Sequence, residues 1–431
     1  MTPGIKHAPG PKGNFFAGSL LPFSADSLGF LKSQIETYGD VVKLRFAHIP
    51  AIFINDPHIV QEVLMRRASE FDKNTRSVAK IRSSCGDSLL SANEEAWARH
   101  RKLVQPVFMK SYLETASEGI KRSTAERLEN WASKSEFNIV TEMMHLLIDV
   151  SANILFGSSV DVETIETGLD VLLADTWRRI QAPIDVSDIS PKLHRKPFKE
   201  AVAKLDEIIF SIIAARRANP DPHNDVLSRL LKAHESEGDG QLSDKELRDA
   251  AVTLLLAGHE TTANALSWTL IRTAQSGLET KNPALLFAEA VRLYPSIWII
   301  ERRAKSDINL AGYQIKKGTS VMMAPYFLHR RTHDWGEPES FNPDRFLTKQ
   351  PTDRPTCSYM PFGFGRNSCV GRNMAERVAV DVLSTIYEKA RLELLPGQSL
   401  IPDPSLTLRV KNPVIMRAVF AELGKVSILS K

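Results

Sequence analysis

The sequence predicts a mainly α-helical fold with a small β region, formed by one large domain of 431 residues. Apolar residues between Leu247 and Ala265 recur at helical spacing, and the capping box that begins at Ser243 predicts where that helix starts. The segments Val41–Phe46 and Ala51–Ile54 are rich in β-branched and aromatic residues, which favours two short strands. Because no Gly/Ser-rich or highly charged linker interrupts the sequence, we expect a single domain over residues 1–431. We expect its β-rich part at about 35–60 and 297–325 and its helical body at about 90–295 and 370–392.

Composition narrows the class of protein. The formal net charge of +4 is too small to suggest a nucleic-acid-binding protein. The three cysteines, Cys85, Cys357 and Cys369, do not suggest a disulfide framework in so long a chain, and we expect a reducing, cytoplasmic location. The N-terminal region has neither a signal-peptide pattern nor an apolar run of about 20 residues, so we expect no membrane span.

The first half of the sequence is expected to hold one functional pair. A helix is predicted from about Pro57, and further along Trp97 and Arg101 stand four residues apart, on one face of a helix. An indole N–H and a guanidinium suit a buried carboxylate, although an ordinary amphipathic helix with a core tryptophan is the alternative.

Polar residues interrupt the apolar stripe of the predicted central helix. Ala257 and Gly258 are small, whereas Glu260 and Thr261 place an acid and a hydroxyl where burial is expected. A buried acid needs an explanation that packing alone does not give. One interpretation is a site that binds a small molecule and moves protons. The alternative is a crossing of two helices at small residues, with a capped polar patch.

The next segment pairs an acid with two arginines and contains further short strands. Glu289 and Arg292 share a helix face and are able to form an ion pair, with Arg345 as a second cation. Ile297–Ile300 reads as a short strand followed by Arg302. Another strand pair is expected at 312–323 and a late β element at 406–418.

A glycine-rich loop carries the last cysteine. Phe362, Gly365, Cys369 and Gly371 lie in this loop, which runs into a predicted helix at 373–392. Backbone amides at a helix N-terminus stabilise a thiolate, and glycines allow a flat group to approach the backbone. The alternative is a buried thiol in a glycine turn.

These motifs, in this order, resemble those of the cytochrome P450 family, and the resemblance covers nearly the whole sequence. It implies the cytochrome P450 fold and a heme b whose iron is bound by Cys369. It also implies that residues 73–88 and 174–197 form mobile loops over the substrate. It implies that Ala257 and Gly258 make room for O2, and that Glu260 and Thr261 are catalytic residues that deliver protons. Glu289, Arg292 and Arg345 would form a structural triad. The residues implied to hold the heme are Trp97, Arg101, Ala257, Gly258, Arg302, Phe362, Gly365, Arg366, Asn367, Cys369 and Gly371.

The resemblance also implies an activity and partners. The reaction would be monooxygenation, the hydroxylation or epoxidation of a small hydrophobic substrate with one oxygen atom of O2. Electrons would come from a separate ferredoxin or flavodoxin with its reductase, attracted by basic residues, and the protein would be a monomer. The basic residues expected to attract it are Arg99, Lys102, Arg366 and Arg372. A peroxygenase, a heme-thiolate isomerase or dehydratase, and a non-catalytic heme sensor remain as alternatives.

Two features depart from the family pattern. Asn367 stands where the family usually has Arg or His, while Arg366 lies one position earlier. Thr261 and Glu289 are separated by fewer residues than usual, because one or two helices of the family have no counterpart here. We therefore expect weaker bracing of the Glu289 helix and less secure heme retention.

Overall fold

The structure is a computed structural model. It describes residues 6–420 except 109, 158–160, 186, 188, 191–192, 220–224, 237–242, 280 and 348–353. Helices make up most of the described chain. They are α1 Leu20–Ala25, α2 Ser27–Tyr38, α3 Pro57–Gln61, α4 Arg76–Cys85, α5 Glu94–Val104, α6 Lys110–Ala132, α7 Ile139–Phe156, α8 Val162–Gln181, α9 Lys196–Ala218, α10 Val226–Ser236, α11 Asp244–Ser276, α12 Pro283–Leu293, α13 Pro325–Leu328 and α14 Arg372–Lys389.

Short strands form small sheets beside the helices. They are β1 Val41–Phe46, β2 Ile49–Ile54, β3 Phe71–Asp72, β4 Phe137–Asn138, β5 Ile300–Ala304, β6 Ile308–Leu310, β7 Tyr313–Ile315, β8 Ser320–Met323, β9 Ala390–Leu394, β10 Pro402–Pro404, β11 Leu408–Val410 and β12 Ile415–Phe420. The largest sheet has the order β1-β2-β8-β5-β3, in which β2 and β8 are parallel and the other pairs antiparallel. A second sheet has the order β4-β12-β9, and β6-β7 and β10-β11 form two hairpins. The predicted fold class, mainly α with a small β region, is confirmed.

The long helix α11 lies at the centre of the helical body. It begins where the sequence predicts, because the Ser243 side chain accepts from the Glu246 amide and the Glu246 side chain accepts from the Ser243 amide. It packs along α7, α9 and α12, and most of its residues from Leu247 to Thr273 are buried. Near its end Trp268 stacks on Tyr294, with ring centroids 3.8 Å apart. The helix thus holds its polar residues inside the protein.

Several predicted boundaries are wrong. The last long helix ends at Lys389 rather than 392, because the chain from Ala390 pairs as a strand with β12. Residues 297–299 precede the strand that was expected to include them, since pairing begins at Ile300. The strands at 313–315 and 320–323 do not pair with each other; the first joins β6, and the second lies between β2 and β5.

Helices extend into both segments that were expected to be mobile loops. Helix α4 occupies much of residues 73–88, and α8 continues to Gln181. Residues 186, 188, 191 and 192 of the second segment lie outside the described residues. The two segments are joined by an ion pair between Lys80 Nζ and Asp185 Oδ2 at 2.6 Å, with both side chains almost fully buried. Arg179 lies beside this pair, and its NH2 donates to the Lys80 carbonyl at 3.0 Å.

Helix α7 is the one segment in the described part of the chain that is long and apolar enough to cross a membrane. Within the structure 61% of it is buried, chiefly against α11 and α6. A core helix of a folded protein has the same composition, so this finding is weak support for a membrane span.

Candidate active site

The cysteine loop is held in place by its own backbone. The Cys369 amide donates to the Phe362 carbonyl at 2.9 Å, which closes the loop just before α14. Gly365 has φ +70°, and a Cβ there would lie 2.1 Å from the Leu64 carbonyl oxygen. Only glycine fits this position, because both the backbone conformation and the approach of Leu64 exclude a side chain. The sequence therefore requires Gly365 for packing of the loop itself.

The Cys369 sulfur lies at the N-terminus of α14. The backbone amides of Gly371 and Arg372 point to it, and together with the charge of Arg101 they oppose the effect of burial. Burial is the larger effect and raises the pKa of the thiol above its usual value. The side chain nevertheless has accessible surface. A metal would deprotonate this thiol, and the amides would stabilise the resulting thiolate.

Three cations gather around Trp97 on the approach to this loop, and a fourth, Arg302, lies near one of them, Lys73. Lys73 Nζ lies 5.5 Å from the centre of the indole ring, Arg101 Cζ 5.6 Å and Arg366 Cζ 4.9 Å. Arg101 also donates from NH1 to the Ser368 carbonyl at 2.7 Å, next to the cysteine. We call Lys73, Arg101, Arg302 and Arg366 the cation cluster.

The cation cluster is short of negative charge. Burial, together with the nearby guanidinium groups of Arg302, Arg82 and Arg366, lowers the pKa of Lys73 to about 7. Burial likewise lowers the pKa of Arg302 to about 10. Within the described ranges, no carboxylate forms an ion pair with any member of the cluster. Such an arrangement fits a buried dianion, and a heme bound next to Cys369 presents two carboxylates. The residues present therefore fit the group.

The position of Arg366 bears on the unusual Asn367. Arg366 stacks on Trp97 within the cation cluster, although the family pattern places its basic residue one position later. The side chain of Asn367 makes no hydrogen bond within the part of the chain that the structure describes. Arg366 thus supplies a cation at this site, and the role expected for Asn367 stays a prediction.

The small and polar residues of helix α11 make contacts within the helix and with neighbouring segments. The Thr261 hydroxyl donates to the Ala257 carbonyl at 2.5 Å, and the Thr261 carbonyl accepts from Ser296 Oγ at 2.6 Å. A Cβ on Gly258 would lie 3.4 Å from Ser151 Oγ of α7, so Gly258 lies at a crossing of two helices. Ala257, Gly258 and Thr261 are half-buried, whereas Glu260 is buried.

Glu260 is held by the C-terminal hairpin. Its Oε1 accepts from Thr407 Oγ1 at 2.7 Å and from Arg409 Nε at 2.5 Å. Asn264 Nδ2 in turn donates to Thr407 Oγ1 at 3.2 Å. Both donors reach the same carboxylate oxygen, and Oε2 accepts no hydrogen bond from the described part of the chain. The acid is therefore charge-compensated, with its hydrogen bonds concentrated on one oxygen.

The expected triad of Glu289, Arg292 and Arg345 is assembled. Arg292 donates from Nε and NH2 to the two Glu289 oxygens at 2.7 and 2.8 Å, and Arg345 Nε donates to Glu289 Oε1 at 3.0 Å. The Asn342 amide adds a hydrogen bond at 2.9 Å. Arg292 also donates to the His329 and Pro338 carbonyls, which ties α12 to the chain that leads to the cysteine loop. The short connection before Glu289 thus does not prevent the triad from forming.

A cleft of about 530 Å³ opens between α1, α8 and the β10-β11 hairpin. Most of its walls are apolar, and its polar lining includes Arg178, Gln181, Asp403 and Arg409. The apolar lining residues are Leu20, Leu21, Leu173, Ala174, Trp177, Ala182, Pro183 and Leu406. Arg409 links this cleft to Glu260 of α11.

Sequence reasoning missed Lys73, Thr407 and Arg409. Lys73 precedes α4 in a segment that was expected to be a mobile loop, and no local pattern marks it. Arg409 is 149 positions from Glu260, and only the folded chain brings them together. The one available signal was that Glu260, as a buried acid, needs a polar or charged partner. This requirement does not indicate which residue of the sequence is that partner.

The comparisons with known proteins agree with this architecture. The family described as cytochrome P450 matches residues 8–276 and 286–416. The break between the two matched parts falls on the short connection from α11 to α12. The chain departs from the family where the sequence suggested that helices have no counterpart.

Curated relatives from Streptomyces cover most of the chain. A cyclooctatin synthase of Streptomyces melanosporofaciens is 29% identical, with 94% of each chain covered. A cyclooctat-9-en-7-ol 5-monooxygenase of the same organism is 28% identical, with 86% of each chain covered. A pentalenene oxygenase of Streptomyces avermitilis is 24% identical over 86% of this chain and 88% of its own.

The family match and the relatives establish the class of enzyme. The protein is a heme-dependent monooxygenase that acts on hydrophobic substrates with O2 and electrons from a redox partner. The fold predicted from the sequence is confirmed by the same match. Because the family match spans nearly the whole chain, the chain belongs to the cytochrome P450 family.

Proposed function

We propose that Cys369 binds the iron of a heme b and that Glu260 and Thr261 move the protons that oxygen insertion requires. The observation that carries the proposal is the cation cluster around Trp97, which lacks a carboxylate partner in the described chain and lies next to a cysteine held by helix N-terminal amides. The sequence contains no Cys-x-x-Cys-His motif, so covalent attachment of a c-type heme has no anchor.

The residues have distinct tasks around the cofactor. Arg101, Arg302, Arg366 and Lys73 would neutralise its carboxylates, with Trp97 as the ring against which three of these cations lie. Gly365 and Gly371 shape the loop, and Phe362 closes it through its carbonyl. When bound, a thiolate-ligated heme supplies O2 activation and the transfer of one oxygen atom.

Proton delivery belongs to α11. The Thr261 hydroxyl is held by the Ala257 carbonyl, which fixes its oxygen as a hydrogen-bond acceptor for a water or ligand. Glu260 follows directly and keeps Oε2 outside its contacts with Thr407 and Arg409. A carboxylate with one committed and one available oxygen can pass a proton without moving its backbone.

Replacing Thr261 by alanine is expected to lower the fraction of electrons that reach product by about tenfold, because a positioned proton donor is lost. Electron consumption and product are measured in the same reaction, and peroxide release accounts for the difference. Thr261→Ser keeps the hydroxyl and should keep most of the coupling. Unchanged coupling in Thr261→Ala would remove the proposed role.

The substrate and setting are proposed from the same features. The apolar cleft and the relatives named for cyclooctat-9-en-7-ol and pentalenene support an apolar, unsaturated organic molecule, hydroxylated or epoxidised by this enzyme. A cytoplasmic monomer that receives electrons from a ferredoxin or flavodoxin and its reductase completes the proposal.

The electron donor is expected to dock through electrostatic attraction to Arg99, Lys102, Arg366 and Arg372, of which Arg99 and Arg372 already pair with Glu246 and Glu376 on the surface. Raising ionic strength from 0.01 to 0.5 M should therefore slow electron transfer from an acidic ferredoxin by about tenfold or more. Stopped-flow reduction of the heme measures this rate. A rate that does not fall with salt would contradict electrostatic docking.

A further inference from the structure

Arg409 contacts the buried Glu260 of α11 and also lines the apolar cleft. Its Nε donates to Glu260 Oε1 at 2.5 Å, and its NH2 lies 3.6 Å from Asp170 Oδ1. The same side chain lines the apolar cleft between α1, α8 and the β10-β11 hairpin, with 30% of its surface exposed. A ligand in the cleft therefore meets the residue that holds the buried acid.

The guanidinium has hydrogen-bonding capacity left over. It carries five N–H donors, and within the described ranges only the one on Nε makes a hydrogen bond. The distance to Asp170 is too long for a hydrogen bond. Since the cleft walls around it are mostly apolar, such as Leu173, Trp177 and Leu406, these donors are a specific polar contact for a ligand there.

The charges around Arg409 decide which polar group fits. Glu260, Asp170 and Asp403 are the acids at this end; Asp403 lies opposite Arg409 in the hairpin register. The other cation of the cleft, Arg178, donates to Asp175 at 2.7 Å. Three carboxylates around Arg409 leave no excess positive charge for an anion, whereas a neutral oxygen accepts from the guanidinium without repulsion.

We propose that Arg409 is a specificity-determining residue that donates to a neutral hydroxyl or carbonyl oxygen of an otherwise apolar substrate in the cleft, while its Nε keeps Glu260 in position. The inference deepens the proposed function and rests on it, since it concerns the substrate of the same heme enzyme. A substrate bound in this way has its polar end fixed at Arg409 and its apolar part free to extend along the walls of the cleft.

The test measures binding to the oxidised heme protein, without electrons or turnover. 1-Dodecanol, dodecane and dodecanoate are titrated, and the shift of the heme Soret band gives each dissociation constant. Arg409→Met should weaken the binding of 1-dodecanol by about tenfold, because a charge-assisted hydrogen bond is lost. The dissociation constant of dodecane should change by less than about twofold. Wild type should bind the alcohol more tightly than dodecanoate.

Further variants keep the test decisive. Arg409→Lys retains a cation beside Glu260 and is therefore expected to fold even if Arg409→Met does not. It should weaken the binding of 1-dodecanol by about threefold. Arg417→Met removes an exposed arginine that pairs with Glu136 and should leave all three constants unchanged. Equal weakening of alcohol and alkane, or no weakening of either, overturns the proposal, as does tighter binding of dodecanoate or no response to any probe.

The two proposals fail in different ways. If Cys369 does not bind the iron, the reduced wild-type protein lacks the carbon monoxide band of a thiolate-ligated heme before any ligand is added. If only the role of Arg409 is wrong, that band is normal. The dissociation constant of 1-dodecanol is then the same in wild type, Arg409→Met and Arg409→Lys.

Discussion

Replacing Cys369 by serine is expected to reduce monooxygenase turnover to background while the fold persists. The sulfur lies among the amides of Gly371 and Arg372, which stabilise a thiolate; a serine hydroxyl offers a harder and far less electron-donating ligand. The loop itself is closed by backbone contacts, including that from the Cys369 amide to Phe362. Product formation is measured with an added reductase system, and circular dichroism reports the fold.

The matched control is Cys357→Ala. Cys357 is a buried thiol in a separate apolar cluster, and burial raises its pKa to about 12, so it has no thiolate to offer. Its loss should leave turnover and heme content within about twofold, because the change is a small core truncation. Turnover that survives in Cys369→Ser would show that another residue binds the iron.

Replacing Arg292 by methionine is expected to lower the free energy of unfolding by about 3–5 kcal/mol, because it leaves the fully buried Glu289 carboxylate without its main partner. Arg292 also donates to the His329, Pro338 and Ser340 carbonyls, which would lose their donor at the same time. We expect low heme content and a low denaturation midpoint in urea. Both are measured on purified protein against wild type.

Arg417→Met again provides the surface control, since its pair with Glu136 at 3.1 Å is half-exposed. An exposed ion pair contributes at most about 1 kcal/mol, so the denaturation midpoint should hardly move. An Arg292→Met protein as stable as the control would show that the triad does not support the fold.

Features encoded by neighbouring residues were predicted well from the sequence. The capping box at Ser243 places the start of α11, and the spacing of Glu289 and Arg292 predicts their ion pair. The strand Val41–Phe46 has the predicted bounds. In each case the signal lies within a few residues, where helix and strand periodicity operate.

Features decided by distant parts of the chain were not predictable in this way. Residues 390–392 continue the helical pattern of α14, yet they form a strand because β12 offers backbone partners. Arg409 and Lys73 become site residues only when the β10-β11 hairpin and the segment before α4 fold against α11 and α5. Local patterns carry no information about such contacts.

The helix that carries Glu289 is capped and well packed despite the short connection that precedes it. Helix α11 ends at Ser276 and α12 begins at Pro283, after Asn282 caps it through the Ala284 amide at 2.9 Å. Helix α12 packs directly against α11 and α14, and its side chains Phe287, Ala290 and Val291 are buried. The bracing that we expected to be weak is supplied by these two helices. Heme retention in the shortened chain stays a prediction.

The most direct test of Cys369 as the iron ligand is the absorption spectrum of the reduced wild-type protein with carbon monoxide. Thiolate ligation predicts the strongly red-shifted Soret band, which should disappear in Cys369→Ser and persist in Cys357→Ala. A wild-type band at the position typical of histidine ligation would contradict the proposed site.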